Sequence, residues 1–117
     1  MKRGEVWTAS AGNDYVGKPR PVVILQDHIF DATASITVCA FTTDTTKAPL
    51  FRLHVEPSGR NGLQKSCALM VDKITTVSRS KLGGRIGHMD DDDMVRLNQA
   101  VVVFLGLSVS PRRRQGS

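Results

Sequence analysis

Aromatic side chains are scarce in this sequence, which has one Trp, one Tyr and four Phe among 117 residues. A binding module that grips its ligand in a groove of rings needs more of them, so a catalytically silent module of that kind fits poorly. Cysteine is scarce too: Cys39 and Cys67 lie apart, each within an apolar strand-like segment, without the close spacing of a zinc site. Both read as reduced core thiols. The longest apolar run, Ala100 to Leu105, falls far short of a bilayer span, and Met1-Lys2-Arg3-Gly4-Glu5 lacks the apolar core of a signal peptide. The expected location is therefore the cytosol. Internal repeats are absent, and glycine and proline are scattered rather than blocked. The length supports one domain with one core, expected over residues 1–108, followed by a disordered basic tail over 109–117.

What the chain does carry is positive charge, a formal +5 at neutral pH. Such a balance favours a polyanionic partner, nucleic acid first and an acidic protein second. Arg112, Arg113 and Arg114 supply three of those charges from the tail, so the body is closer to neutral. A more pointed feature is Gly17-Lys18-Pro19-Arg20-Pro21-Val22-Val23-Ile24-Leu25-Gln26, an arginine between two prolines at the mouth of an apolar strand. Pro21 disfavours helix at Arg20 and Pro19 stiffens the approach, so the guanidinium is aimed before a ligand arrives. Its planar fork of donors, charged at any working pH, suits a phosphate.

Hydrophobic patterning predicts a mostly β chain. Strands are expected at Glu5–Ala9, Pro21–Gln26, Ser35–Thr42, Phe51–Val55 and Ser66–Val71, with Ile74–Val77 a candidate short strand. The segment from Ser10 to Lys18 is a loop longer than a tight hairpin, and Gly83-Gly84-Arg85-Ile86-Gly87 is too glycine-rich for a helix. Asp90 to Asp93, followed by Met94, Leu97, Val101, Phe104 and Leu105, predicts a helix with an apolar stripe. Asp90 or Asp91 is placed to cap its free amides, and the remaining aspartates suit its positive end. Metal binding by four adjacent aspartates is the sharper reading of that run, but helical geometry splays consecutive side chains around the axis. The expected fold is α+β, mostly β: a curled antiparallel sheet closed by one C-terminal helix.

Arg3-Gly4-Glu5-Val6-Trp7 and Gly17 to Leu25 together resemble the N-terminal signature of the MazF/PemK family of toxin endoribonucleases. The order continues with Thr37-Val38-Cys39-Ala40-Phe41-Thr42-Thr43, with Gly62 to Val77, and with Lys81-Leu82-Gly83-Gly84-Arg85-Ile86-Gly87 before the helix. The resemblance implies an SH3-like (CcdB/MazF-type) antiparallel barrel with a C-terminal helix. It further implies a homodimer that cuts single-stranded RNA at short sequences without metal or other cofactor, and a cognate antitoxin protein as partner. In such enzymes the substrate 2′-hydroxyl attacks the adjacent phosphate, leaving a cyclic phosphate and a 5′-hydroxyl. Arg20 matches the family's catalytic arginine, and Thr42 matches a catalytic hydroxyl residue at the end of the third strand.

The chemistry requires a deprotonated nucleophile, stabilised charge on the phosphorane oxygens, and a proton for the leaving oxygen. Arg20 suits charge stabilisation, and Thr42 suits a hydrogen bond to a nonbridging oxygen. The base stays open. Some members of the family use an Arg and Asp pair that falls on Met70 and Asp72 here, leaving Asp72 as a candidate base or orienter. Others carry a glutamate five residues before the arginine, where this chain has Tyr15 with Asp14 beside it. The histidines His28, His54 and His88 match no catalytic position, and His54 reads as a surface residue. For RNA binding the candidates are Tyr15, through stacking, and Lys18, Thr43, Lys47 and Lys73. The competing reading is a non-enzymatic CcdB-like gyrase poison on the same fold, whose inhibitory contacts would lie on the terminal helix.

Overall fold

The computed structural model describes residues 1–10, 18–44 and 51–108. Seven strands form one bent antiparallel sheet: β1 (Glu5–Ala9), β2 (Arg20–Ile24), β3 (Ser35–Thr42), β4 (Arg52–Val55), β5 (Cys67–Met70), β6 (Thr75–Ser78) and β7 (Leu82–His88). One α-helix among the described residues, α1 (Asp91–Phe104), follows. The neighbour order is β4-β5-β3-β2-β1-β7, with β6 also on β3. Val38 pairs with Ile24 of β2 on one edge of β3 and with Thr75 of β6 on the other. β5 and β6 thus run in succession along the same edge, β5 against Phe41 and Thr42 and β6 against the first half of β3.

β2 explains why the sheet has two apolar faces. Its Val22, Val23 and Ile24 are all buried, and the pleat sends Val23 to one side and Val22 and Ile24 to the other. Val23 joins Val6, Cys39, Val55, Leu69 and Leu97 in the larger cluster, which draws on β4 at one end of the strand order, on β1 near the other and on the helix. Residues from β1, β4 and α1 can share one cluster only if the sheet curls around it. Val22 and Ile24 pack instead with Ala9, Ile36 and Val38, flanked by Trp7. Cys39 and Cys67 are free and buried, as expected of core thiols. Burial, aided by the Asp72 charge, pushes the Cys39 thiol up to about 12.

β2 begins at Arg20 and stops at Ile24, two residues short of the predicted Gln26, because Gln26 turns its side chain into the next connection. Its Oε1 accepts from Thr37 N–H at 2.8 Å and its Nε2 donates to the Phe30 carbonyl at 3.1 Å. The glycine-rich stretch 83–87, expected only not to be helical, lies within the seven-residue β7 and pairs with β1 through two register shifts. Its glycines bring backbones together: a Cβ on Gly87 would lie 2.4 Å from the Asn61 backbone, and one on Gly83 would lie 2.6 Å from Thr8 Oγ1.

Helix α1 starts at the aspartate run, with Asp90 at the N-cap position. Asp90 makes no side-chain capping bond, and its carboxylate lies 3.7 Å from Arg60 instead. The predicted apolar stripe is only partly used. Leu97 is fully buried and Met94 and Val101 pack on the core, whereas Phe104 and Leu105 remain 46% and 56% exposed because the helix outruns the sheet. No helix among the described residues is long and apolar enough to cross a membrane. The predicted tail over 109–117 lies outside the described residues.

Candidate active site

Arg20 is the first residue of β2 and is exposed, opposite Ala9 on β1. The β2–β3 ladder pairs Val22 with Ala40, so continuing its antiparallel register by two residues sets Arg20 across from Thr42. Residues directly opposite share a face of the sheet, which brings the two predicted catalytic side chains to one end of one surface. Thr42 is half-buried, and its Oγ1 accepts from Asp44 N–H at 3.1 Å, fixing the turn that leaves β3. A groove of about 550 Å³ opens beside this end of the sheet. Arg20, Lys18 and Thr43 line it on one side, with Gln64 and Lys65 contributed by the segment before β5. Its apolar lining is built from Pro21, Leu63, Cys67 and Ile86.

The segment bearing Gln64 and Lys65 is held from beneath by Asn61, which is fully buried. Asn61 Oδ1 accepts from the N–H groups of Ser58 and Leu63 at 2.9 and 3.0 Å, and its Nδ2 donates to the Glu56 carbonyl at 2.9 Å. Next to it, Gly62 has a φ of +72°, and a Cβ there would meet the Ile86 carbonyl oxygen at 2.1 Å. Only glycine serves at that point, since both its backbone conformation and the contact with β7 exclude a side chain.

Electrostatically the groove is one-sided. Among its described lining residues it presents three cations, Lys18, Arg20 and Lys65, and no carboxylate. None of the three has an ion-pair partner among the described residues. Cations left without internal partners around an open apolar floor are equipped to meet an anionic chain.

Asp72 and Lys73 lie elsewhere, in a single 3₁₀ turn (Val71–Lys73) at the far end of β5 from the groove. Arg52 on β4 grips Asp72 with two hydrogen bonds, Nε to Oδ1 at 2.9 Å and Nη2 to Oδ2 at 3.2 Å. The Arg52 fork holds the Asp72 carboxyl below the usual carboxylate range, against a smaller opposing push from burial. The arginine absent at Met70 is thus replaced in space, because Arg52 pairs with Met70 across the β4–β5 ladder. Of the other predicted binding residues, Tyr15 and Lys47 lie outside the described residues, as does Asp14. His54 is exposed and paired with Glu56, in keeping with a surface role.

The sequence reading missed Gln64 and Lys65. Their signal was a polar and basic pair shortly after the Ser58–Gly62 turn, but their placement across β3 from Arg20 depends on β5 pairing with β3. Among the described residues no three His, Cys, Asp or Glu side chains converge as metal ligands do.

Residues 2–105 match the family described as PemK-like, MazF-like toxin of type II toxin–antitoxin system. A protein of Mycolicibacterium smegmatis named probable endoribonuclease MazF is 53% identical over 92% of this chain and 99% of its own length. Endoribonuclease EndoA of Bacillus subtilis is 32% identical, covering 92% of this chain and 96% of its own. Among solved structures, an endoribonuclease bound to its cognate antitoxin from a mycobacterial species superposes with a TM-score of 0.74 at 24% identity, covering 92% of this chain and 96% of that one. A MazE–MazF complex from Deinococcus radiodurans gives 0.75 at 16% identity, over 91% and 96%. At those identities the two structures speak for the fold, an antiparallel barrel with a terminal helix.

Proposed function

From the premise that this chain belongs to the PemK-like, MazF-like toxins of type II toxin–antitoxin systems, with endoribonuclease relatives over 92% of its length, we propose that its Arg20 groove cuts single-stranded RNA. The observation that carries the reading is Arg20 itself, exposed at the mouth of β2, opposite Thr42, in a groove whose described lining residues include two further cations and no acid. A phosphodiester seated there meets the donors its transition state requires.

In the proposed reaction the 2′-oxygen of the substrate attacks the adjacent phosphorus and the bond to the 5′-oxygen breaks. The 2′-hydroxyl loses its proton and the leaving 5′-oxygen gains one, so the products are a cyclic phosphate and a 5′-hydroxyl. Arg20 stabilises charge on the phosphorane oxygens as it develops, and Thr42 orients a nonbridging oxygen. Lys18, Thr43 and Lys65 hold the neighbouring backbone. Asp72, clamped by Arg52, serves the fold more directly than the proton transfer; a base near residues 14 and 15 is the other candidate. The reaction uses the substrate's own hydroxyl and these side chains, and no cofactor enters it.

The protein acts in the cytosol as a homodimer, restrained by a cognate antitoxin whose acidic segment competes for the cationic groove. The family match sets aside the gyrase-poison reading. Incubation with mixed-sequence RNA in EDTA, followed by end mapping, tests the proposal. Cuts at a short motif with 5′-hydroxyl ends are expected. Intact RNA at high protein concentration overturns the endonuclease, and a monomer mass by light scattering at micromolar concentration overturns the dimer.

A further inference from the structure

The groove's hydrogen-bonding groups divide sharply by what they can read. Lys18, Arg20 and Lys65 only donate, and as cations they favour phosphate over any base. The Thr8 hydroxyl is occupied, accepting from Gly84 N–H at 3.0 Å. Thr43 offers a rotating hydroxyl, which satisfies a donor or an acceptor and so discriminates little. Gln64 is different. Its exposed amide carries a fixed donor and a fixed acceptor in one plane, the pattern that distinguishes one base edge from another.

Two further observations make Gln64 a reader rather than a passing surface residue. Its amide has no hydrogen-bond partner among the described residues, while its backbone is anchored on both sides. Buried Leu63 precedes it, tied to Asn61, and Cys67 follows at the start of β5, its Sγ 3.2 Å from the Lys65 carbonyl oxygen. The groove also lacks aromatic rings among its described lining residues, so a base lies on Leu63, Ile86 and proline and gains little selectivity from stacking. Only β3 separates β5 from β2, a lateral step of about 10 Å at ordinary strand spacing. A phosphate at Arg20 therefore leaves a neighbouring base within reach of the opposite wall.

We propose that Gln64 is a specificity-determining residue, whose amide reads the edge of one base next to the scissile phosphate while Lys65 beside it holds backbone without regard to sequence. The inference rests on the endoribonuclease reading above.

The test is end mapping on a randomised RNA pool with the wild type and the variants Gln64→Ala, Gln64→Glu and Lys65→Ala. Gln64→Ala is expected to relax the preference at one motif position by about tenfold, leaving the other positions sharp. Gln64→Glu, an acceptor-only near-isostere, is expected to shift that position toward bases that donate at the contacted edge. Lys65→Ala is expected to slow all sequences alike and to flatten the salt dependence. Uncut RNA with the wild type overturns the endonuclease and this proposal together. Wild-type cutting with an unaltered motif in both Gln64 variants, or a uniform slowing in them like that of Lys65→Ala, overturns this proposal alone.

Discussion

Arg20 and Arg52 are two arginines on strands of the same sheet with opposite surroundings. Arg52 is half-buried, stacked over the Phe51 ring at 5.9 Å and bound by both arms to Asp72. Arg20 is exposed, flanked by prolines, and faces a groove without a carboxylate among its described lining residues. A guanidinium that already holds a carboxylate has little capacity left for a substrate phosphate, whereas one kept apart from acids retains all of it. The contrast places Arg52 in holding β4, β5 and the following turn together, and supports the catalytic role proposed for Arg20.

The most severe way to probe that contrast is Arg20→Ala, expected to lower RNA cleavage by at least about a hundredfold with the thermal midpoint unchanged. Single-turnover rates and a melting curve on the same preparation check it. Arg20→Lys keeps a charge but loses the fork and is expected to lie between, with a loss of about tenfold. Arg52→Ala should reverse the pattern, depressing the melting temperature by several degrees while the cleavage motif stays as it was. An unaltered melting curve would remove Arg52 from its structural role.

The smallest effect concerns acid. Arg52 holds the folded Asp72 carboxyl below its ordinary value, so the pair stabilises the fold fully above the unfolded carboxylate pKa of about 3.9 and loses that contribution as pH falls through the lower folded value. The stability gap between the wild type and Asp72→Asn should therefore be constant from pH 7 to 5 and shrink below about 4, followed by urea unfolding across that range. A gap that persists unchanged to low pH would mean that the Asp72 charge is not what Arg52 uses.

Much of this contrast was legible in the sequence on the Arg20 side and little on the Arg52 side. Arg20 announced itself locally, through two prolines and an apolar run, and the strands rich in Val, Ile and Phe announced themselves through their patterning. Arg52 and Asp72 are twenty residues apart, and only the register pairing Arg52 with Met70 unites them. β7 escaped because its glycines weaken strand propensity. Their reason is the close passage of the chain at Asn61 and Thr8, a contact between distant segments. Gln64 and Lys65 are ordinary loop residues by composition, and they become a groove wall through the buried Asn61 and the β3–β5 pairing. The second half of the helix stripe misled in the other direction: Val101 packs while Phe104 does not, because periodicity gives the face of a helix but not how far the sheet extends beneath it.

Measuring cleavage and melting side by side for Arg20→Ala and Arg52→Ala separates the proposed role of Arg20, which has no ion-pair partner among the described residues, from that of the Asp72-bound Arg52. A near-inactive protein with wild-type melting is expected for the first, and an active protein with lowered melting for the second. Retained cleavage in Arg20→Ala together with lost cleavage in a folded Arg52→Ala would contradict it.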